Sequence, residues 1–216
     1  MIAAFGLFPR FTALDFIGPY QVLAAMPGTE VILCAAETGV ITDDNGLVQL
    51  HIEHTFADVT APDIVVIPGG PGARREARDH GPTVEWIAAT HPTTTWTSSV
   101  CTGALLLGAA GLLDNVTATT HWCFYDELAA YGAIPTEQRV VIADRIATAA
   151  GVSAGIDLAL RLVGELAGDA TAQAIQLAIE YAPQPPYDSG APSKAEPEIR
   201  DFVRALMTQK PSNGPI

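Results

Sequence analysis

Three side chains in the 216-residue chain have the types and spacing from which a reaction could be built: Cys101, Asp15 and His121. Cysteine is a soft nucleophile whose reactive form is the thiolate. Cys101 lies in Thr95-Trp96-Thr97-Ser98-Ser99-Val100-Cys101-Thr102-Gly103-Ala104-Leu105-Leu106-Leu107-Gly108. β-Branched residues crowd the stretch up to Val100 and small or aliphatic ones follow from Ala104, so a strand gives way to a helix at the cysteine. Such a turn tips the side chain out of the sheet and aims the first free amides of the helix at whatever it attacks. The helix terminus also favours negative charge, which predicts a thiol pKa below the ordinary value. A free cysteine is more often a buried packing residue. Two features argue for chemistry instead: Gly103, small enough for a tight turn, and the second glycine-rich turn Pro68-Gly69-Gly70-Pro71-Gly72, which follows an apolar run.

Asp15 falls in the first turn of a helix expected from about Ala13 to Ala25. A carboxylate there is ordinarily solvated and favoured by the helix dipole. Its neighbours Leu14, Phe16 and Ile17 are all apolar, however, and burial among them would raise its pKa and make it a proton carrier. His121, in Thr117-Ala118-Thr119-Thr120-His121-Trp122-Cys123, is a candidate base or orienting partner for Cys101. A whole helix separates the two in sequence, so only the fold can bring them together. His51 and His54 lack a third ligand at metal-like spacing and read as surface residues.

The elements that must position these groups alternate in α/β fashion. Strands are expected at Ile2 to Gly6, Glu30 to Ala36, Asp63 to Ile67 and up to Val100, with two more at Arg139 to Ala143 and Arg145 to Ala149. Asn45-Gly46 marks a hairpin between Val40 and Glu53. Helices are expected over Trp122 to Tyr131, Ser153 to Ala167, Asp169 to Tyr181 and about Glu198 to Met207, with a Pro-, Ser- and Gly-rich loop from Ala182 to Pro197. Asp63-Ile64-Val65-Val66-Ile67 has the continuous apolar character of a central parallel strand, and ligands of open parallel sheets bind beyond the strand C-termini. The glycine turn and the cysteine turn therefore share one edge, where amides of Gly69 or Gly70 with that of Thr102 would form an oxyanion hole. No Gly-Lys-Ser/Thr follows, so this is not a nucleotide phosphate loop. Phe8, Phe11, Phe16, Trp122 and Tyr125 are candidates to line an apolar pocket nearby.

With 49% hydrophobic residues the chain can fill the core of one large domain, expected over residues 1–208 with 209–216 as a frayed tail. No run approaches the roughly 18 apolar residues of a membrane span, and the N-terminus lacks the plan of a signal peptide. Cys34, Cys101 and Cys123 have neither disulfide-framework nor metal-site spacing. The expectation is a cytoplasmic protein without disulfides. A net charge of −13 repels phosphate backbones and disfavours nucleic acid as a partner.

With these pieces placed, the chain resembles the DJ-1/PfpI superfamily, relatives of class I glutamine amidotransferases. The resemblance is carried by Val100-Cys101-Thr102-Gly103-Ala104, Ile67-Pro68-Gly69-Gly70-Pro71-Gly72 and Ala118-Thr119-Thr120-His121-Trp122. It implies a flavodoxin-like three-layer αβα sandwich with a mostly parallel central sheet and Cys101 on a nucleophile elbow. Within the superfamily, Leu14-Asp15-Phe16-Ile17-Gly18-Pro19 and the segment Ile179 to Gly190 look like isonitrile hydratases, which convert an isonitrile and water to an N-substituted formamide. That likeness makes Cys101 the nucleophile, Asp15 the acid/base facing it and Thr102 the residue that shapes the site. Gly69, Gly70, Gly103, His121 and Trp122 are the expected substrate-binding residues. No metal or organic cofactor is implied, and a homodimer acting on a small isonitrile is. Hydrolase and glyoxalase branches of the superfamily commonly carry His directly after the cysteine or Glu in the first helix; Thr102 and Asp15 stand there instead, a departure that argues against protease activity. The competing readings are a cofactor-free glyoxalase-like enzyme, and a ligand or redox sensor related to the sensor half of AraC-type regulators. The latter continue into a basic DNA-reading module that the acidic 216-residue chain has no room for.

Overall fold

The computed structural model describes residues 1–208; the tail expected over 209–216 lies outside the described residues. Strand β1 (Ile2–Gly6) leads to helix α1 (Ala13–Leu23) and β2 (Glu30–Ala35). The Asn45-Gly46 turn joins β3 (Gly39–Thr42) to β4 (Gln49–Ile52), with Thr42 opposite Gln49, and a two-residue β5 (His54–Thr55) follows. The wholly buried β6 (Ile64–Ile67) is succeeded by α2 (Pro71–Asp79), α3 (Pro82–Thr90), β7 (Trp96–Val100) and α4 (Gly103–Ala109). Next come β8 (Thr117–Ala118), α5 (Tyr125–Ala130), β9 (Ile134–Pro135), β10 (Val140–Ala143) and β11 (Ile146–Ala149). Helices α6 (Ala154–Ala167), α7 (Asp169–Ala178) and α8 (Pro197–Thr208) complete the described chain. No helix among the described residues is long and apolar enough to cross a membrane.

Seven strands form the central sheet in the order β10-β11-β7-β6-β1-β2-β5, parallel except for the β10–β11 pair. From β1 the chain moves one way to β2, and from β6 it moves the other way through β7 to β11. Right-handed crossovers in opposite directions place their helices on opposite faces. Accordingly α1 packs with α6 on one face, while α2, α3 and α4 pack together on the other. The crevice between β1 and β6 is thus the topological switch point, where open α/β sheets receive their ligands.

The α1–α6 seam sets where Asp15 sits, and small residues bring it close. A Cβ on Gly155 would lie 3.0 Å from both Pro19 Cδ and Val100 Cγ2, and one on Gly18 would lie 3.0 Å from Ile156 Cγ1. Beneath the seam, Phe16 meets Phe5 edge-on at 5.1 Å and Phe11 at 6.3 Å, which anchors the first helix to the sheet through aromatic contacts.

The structure differs from expectation at three places. The charged stretch after the glycine turn, unassigned from sequence, forms α2 and α3, each opened by a proline at its first turn. The helix expected from Trp122 begins as a 3-10 turn over Trp122–Phe124, because Phe124 departs from helical geometry at φ −122°. The short parallel pair β8–β9 carries too few residues to show an alternation.

Candidate active site

Cys101 occupies the turn between β7 and α4 in a left-handed conformation, φ 56°. For a residue with a Cβ this costs on the order of 1–2 kcal/mol, so neighbouring contacts must hold it. The Cys101 N–H donates to the carbonyls of Ala149 (3.1 Å) and Ala150 (2.9 Å), and the Thr120 hydroxyl donates to the Cys101 carbonyl at 2.7 Å. Gly103 lets the elbow press against the end of β6: a Cβ there would meet the Ile67 carbonyl oxygen and lie 2.8 Å from that of Pro68.

Asp15 is fully buried, and its Oδ2 accepts the Gly69 N–H at 2.8 Å. Its Oδ1 is buried with no hydrogen-bond partner in the structure. Burial raises the Asp15 pKa to about 7, against the Gly69 amide, which pulls it down; the Asp44 charge pushes it up, and the nearby Cys101 thiol pulls it down. The burial and raised pKa expected for this carboxyl from the sequence are thus present in the structure.

The lowered pKa expected for the thiol is absent. Burial, and then the Asp15 charge, push Cys101 well above the ordinary thiol range, outweighing the Thr102 and Val152 amides and the Thr102 hydroxyl. Only 3% of Cys101 is exposed, and α4 is a seven-residue helix whose dipole is too small to reverse those two effects. The resting thiol is neutral, beside a carboxyl that titrates near pH 7.

The glycine turn serves the site differently from the oxyanion hole anticipated. The Gly69 amide is engaged by Asp15, and the Gly70 amide by Thr102 Oγ1 at 2.9 Å. Thr102 Oγ1 also donates to the Gly70 carbonyl at 3.3 Å, so the threonine side chain ties the two turns together. Gly69 must lack a side chain, since a Cβ would sit 2.6 Å from the Thr102 nitrogen and 2.8 Å from Asp15 Oδ2. The amides facing the sulfur are those of Thr102 and Val152.

A pocket of about 280 Å3 opens above Cys101, Thr102 and Gly70, with Phe124, Val152, Leu206 and Met207 as its apolar wall. His121 and Trp122 lie outside it. They line a neighbouring cleft with Tyr125, and Val152 borders both spaces. His121 Nδ1 accepts the Cys123 N–H at 3.3 Å, and its ring stacks on Trp122 at 5.9 Å, so it caps the 3-10 turn rather than touching the thiol. Burial lowers its pKa, which keeps the ring neutral. Phe8, Phe11 and Phe16 are core residues. Sequence reasoning missed Val152, Phe124, Leu206 and Met207. The small-residue turn Ala150-Gly151-Val152-Ser153 after β11 was a usable signal, because β11 neighbours β7 in the sheet. Among the described residues no three His, Cys, Asp or Glu side chains are grouped to hold a metal ion.

The DJ-1/PfpI family model matches residues 1–165, and the chain, with its mostly parallel sheet and flanking helices, belongs to that family. Among its relatives, the isonitrile hydratase of Pseudomonas putida is 44% identical over 200 residues, covering 93% of this chain and 87% of that protein. The glutathione-independent glyoxalase DJR-1.2 of Caenorhabditis elegans is 29% identical over 136 residues, 62% of this chain and 67% of that protein. In three dimensions the chain is similar to a ThiJ/PfpI family protein from Pseudomonas syringae, with a TM-score of 0.92 and 34% identity over 96% of this chain and 86% of the other.

Proposed function

We propose that the protein is an isonitrile hydratase in which Cys101 is the nucleophile and Asp15 the proton shuttle. The observation that carries this is Cys101 lining a small pocket with the buried Asp15 carboxyl beside it, one carboxyl oxygen fixed by Gly69 and the other unpartnered. The 44% identity to the Pseudomonas putida isonitrile hydratase supports the substrate class.

With a neutral thiol and an ionised Asp15, the pair holds one proton, the charge state in which each residue can serve the other. Asp15 takes the thiol proton as sulfur bonds to the terminal isonitrile carbon, then delivers that proton to the same carbon, leaving a thioimidate, R–N=CH–S–Cys101. Asp15, again a carboxylate, takes a proton from water as its oxygen adds to the imidate carbon and passes that proton to nitrogen. Collapse of the adduct forms the carbonyl, breaks the carbon–sulfur bond and returns the hydroxyl proton to sulfur through Asp15. The sum is R–NC plus water giving R–NH–CHO. The Thr102 and Val152 amides facing the sulfur stabilise it whenever it carries charge.

A homodimer belongs to the same reading. Leu14, Ile17 and Tyr20 leave an apolar strip of α1 exposed at 43%, 40% and 38%, and light scattering should give twice the chain mass.

The deciding experiment mixes the purified protein with cyclohexyl isocyanide and follows N-cyclohexylformamide by mass-resolved chromatography, beside Cys101→Ala. Formamide from the wild type alone is the expected result. Formamide from both would refute covalent catalysis, and formamide from neither, with consumption of methylglyoxal, would replace the reading with a glyoxalase.

A further inference from the structure

Besides its apolar residues, the Cys101 pocket is lined by Arg10, Thr12, Asp44 and Arg74. The two arginines are in different states. Arg74 is held bidentately by Glu127, with Nη2 2.6 Å from Oε1 and Nε 3.2 Å from Oε2, and lies over the Phe124 ring at 4.4 Å. Arg10 forms no ion pair with any carboxylate among the described residues. Arg78, Arg145 and Arg204 also stand outside those ion pairs, but of these four Arg10 alone lines the pocket. Asp44, the carboxylate in the same pocket, accepts instead from the Thr12 hydroxyl at 2.7 Å and the Asn45 amide at 3.2 Å.

The backbone supplies a second, independent observation. Arg10 is left-handed, φ 64°, a conformation that glycine or asparagine adopts at lower cost. Both of its backbone polar groups are fixed: the N–H donates to the Thr42 carbonyl at 2.8 Å, and the carbonyl accepts the Gly72 N–H at 3.2 Å. The guanidinium therefore springs from a pinned base at the pocket rim. It is always charged, and its fork of donors matches a carboxylate in bidentate fashion.

We propose that the pocket selects isonitriles bearing a carboxylate, which Arg10 binds while the isonitrile carbon lies at Cys101 and the connecting chain runs along Phe124, Leu206 and Met207. The inference rests on the hydratase reading above and narrows its substrate class.

The test compares isocyanoacetate, 3-isocyanopropanoate and 4-isocyanobutanoate, each against its methyl ester, with cyclohexyl isocyanide as a neutral reference. At one or more chain lengths kcat/KM for the acid should exceed that for the ester about tenfold, the scale of one charge-assisted hydrogen-bonded pair, and the ratio should fall as salt is added. Arg10→Asn, which suits the left-handed turn, should bring that ratio to about one, whereas Arg78→Gln, outside the pocket, should leave it in place. Turnover of the neutral compounds with no acid preferred at any length, or a preference that survives Arg10→Asn, overturns this inference alone. Absence of turnover on every compound, cyclohexyl isocyanide included, overturns the hydratase reading and this one with it.

Discussion

At the scale of single residues, Asp15 has two measurable signatures. Its replacement by asparagine keeps an oxygen to accept the Gly69 amide but removes the proton shuttle, so kcat/KM for cyclohexyl isocyanide should fall by roughly 100- to 10,000-fold. The second signature is in stability. Because the folded pKa is raised to about 7 from 3.8, the native state holds a proton that the unfolded chain releases between those values. Asp15 therefore favours the fold most below about pH 4, and that contribution is lost as pH rises through 7, on the order of 4 kcal/mol in all. Denaturant titrations from pH 4 to 8 should show Asp15→Asn losing this decline and gaining on the wild type toward the alkaline end. A parallel pH dependence in both proteins would mean that Asp15 is not the group responsible. The elbow cysteine and its acidic partner were both legible in the sequence, one from the strand-to-helix switch at Val100-Cys101 and the other from a carboxylate set among apolar neighbours. Their charge states were legible only in part, since a helix terminus is visible in sequence while the burial that overrides it is not.

Among elements, the site depends on the seam between α1, which carries Asp15, and α6, which follows the turn that presents Val152. A Cβ on Gly155 would lie 3.0 Å from Pro19 in α1 and from Val100 in β7, so Gly155→Val would push α6 away from both. Overpacking of this kind typically costs about 1–3 kcal/mol, and the displaced carboxyl should lower kcat more than it raises KM. Melting curves and steady-state kinetics on the variant check both parts, and a lowered melting temperature with an unchanged kcat would separate the seam from catalysis. The order of strands and helices could be read from apolar runs and glycine turns. Which turns become neighbours could not, because the pairing of β11 with β7 joins segments almost fifty residues apart. That pairing brings Ala150 and Val152 to the elbow, whereas His121, part of a motif that carries the family resemblance, caps a turn beside a different cleft.

For the whole molecule, the C-terminal helix closes one side of the pocket. Helix α8 has no buried residue, yet Leu206 and Met207 reach the space above Cys101. Paired replacement of both by alanine should raise KM for cyclohexyl isocyanide severalfold while changing kcat little, since these side chains hold the substrate's body and not its reacting carbon. A kcat reduced as much as kcat/KM would show instead that they shape the reacting geometry. The depth of the pair below this cover leaves a mark on the product itself. Cys101 and Asp15 are almost wholly shielded from solvent, and in the proposed cycle the hydrogen that ends on the formyl carbon is the one they hold between them. Enzyme equilibrated in deuterium oxide and then diluted into light water with excess isonitrile should therefore place deuterium in the first formamide released, and protium in later ones, to the extent that the pair exchanges more slowly than it turns over. The isotopic composition of the formyl group would thus time how long the sealed site keeps its proton.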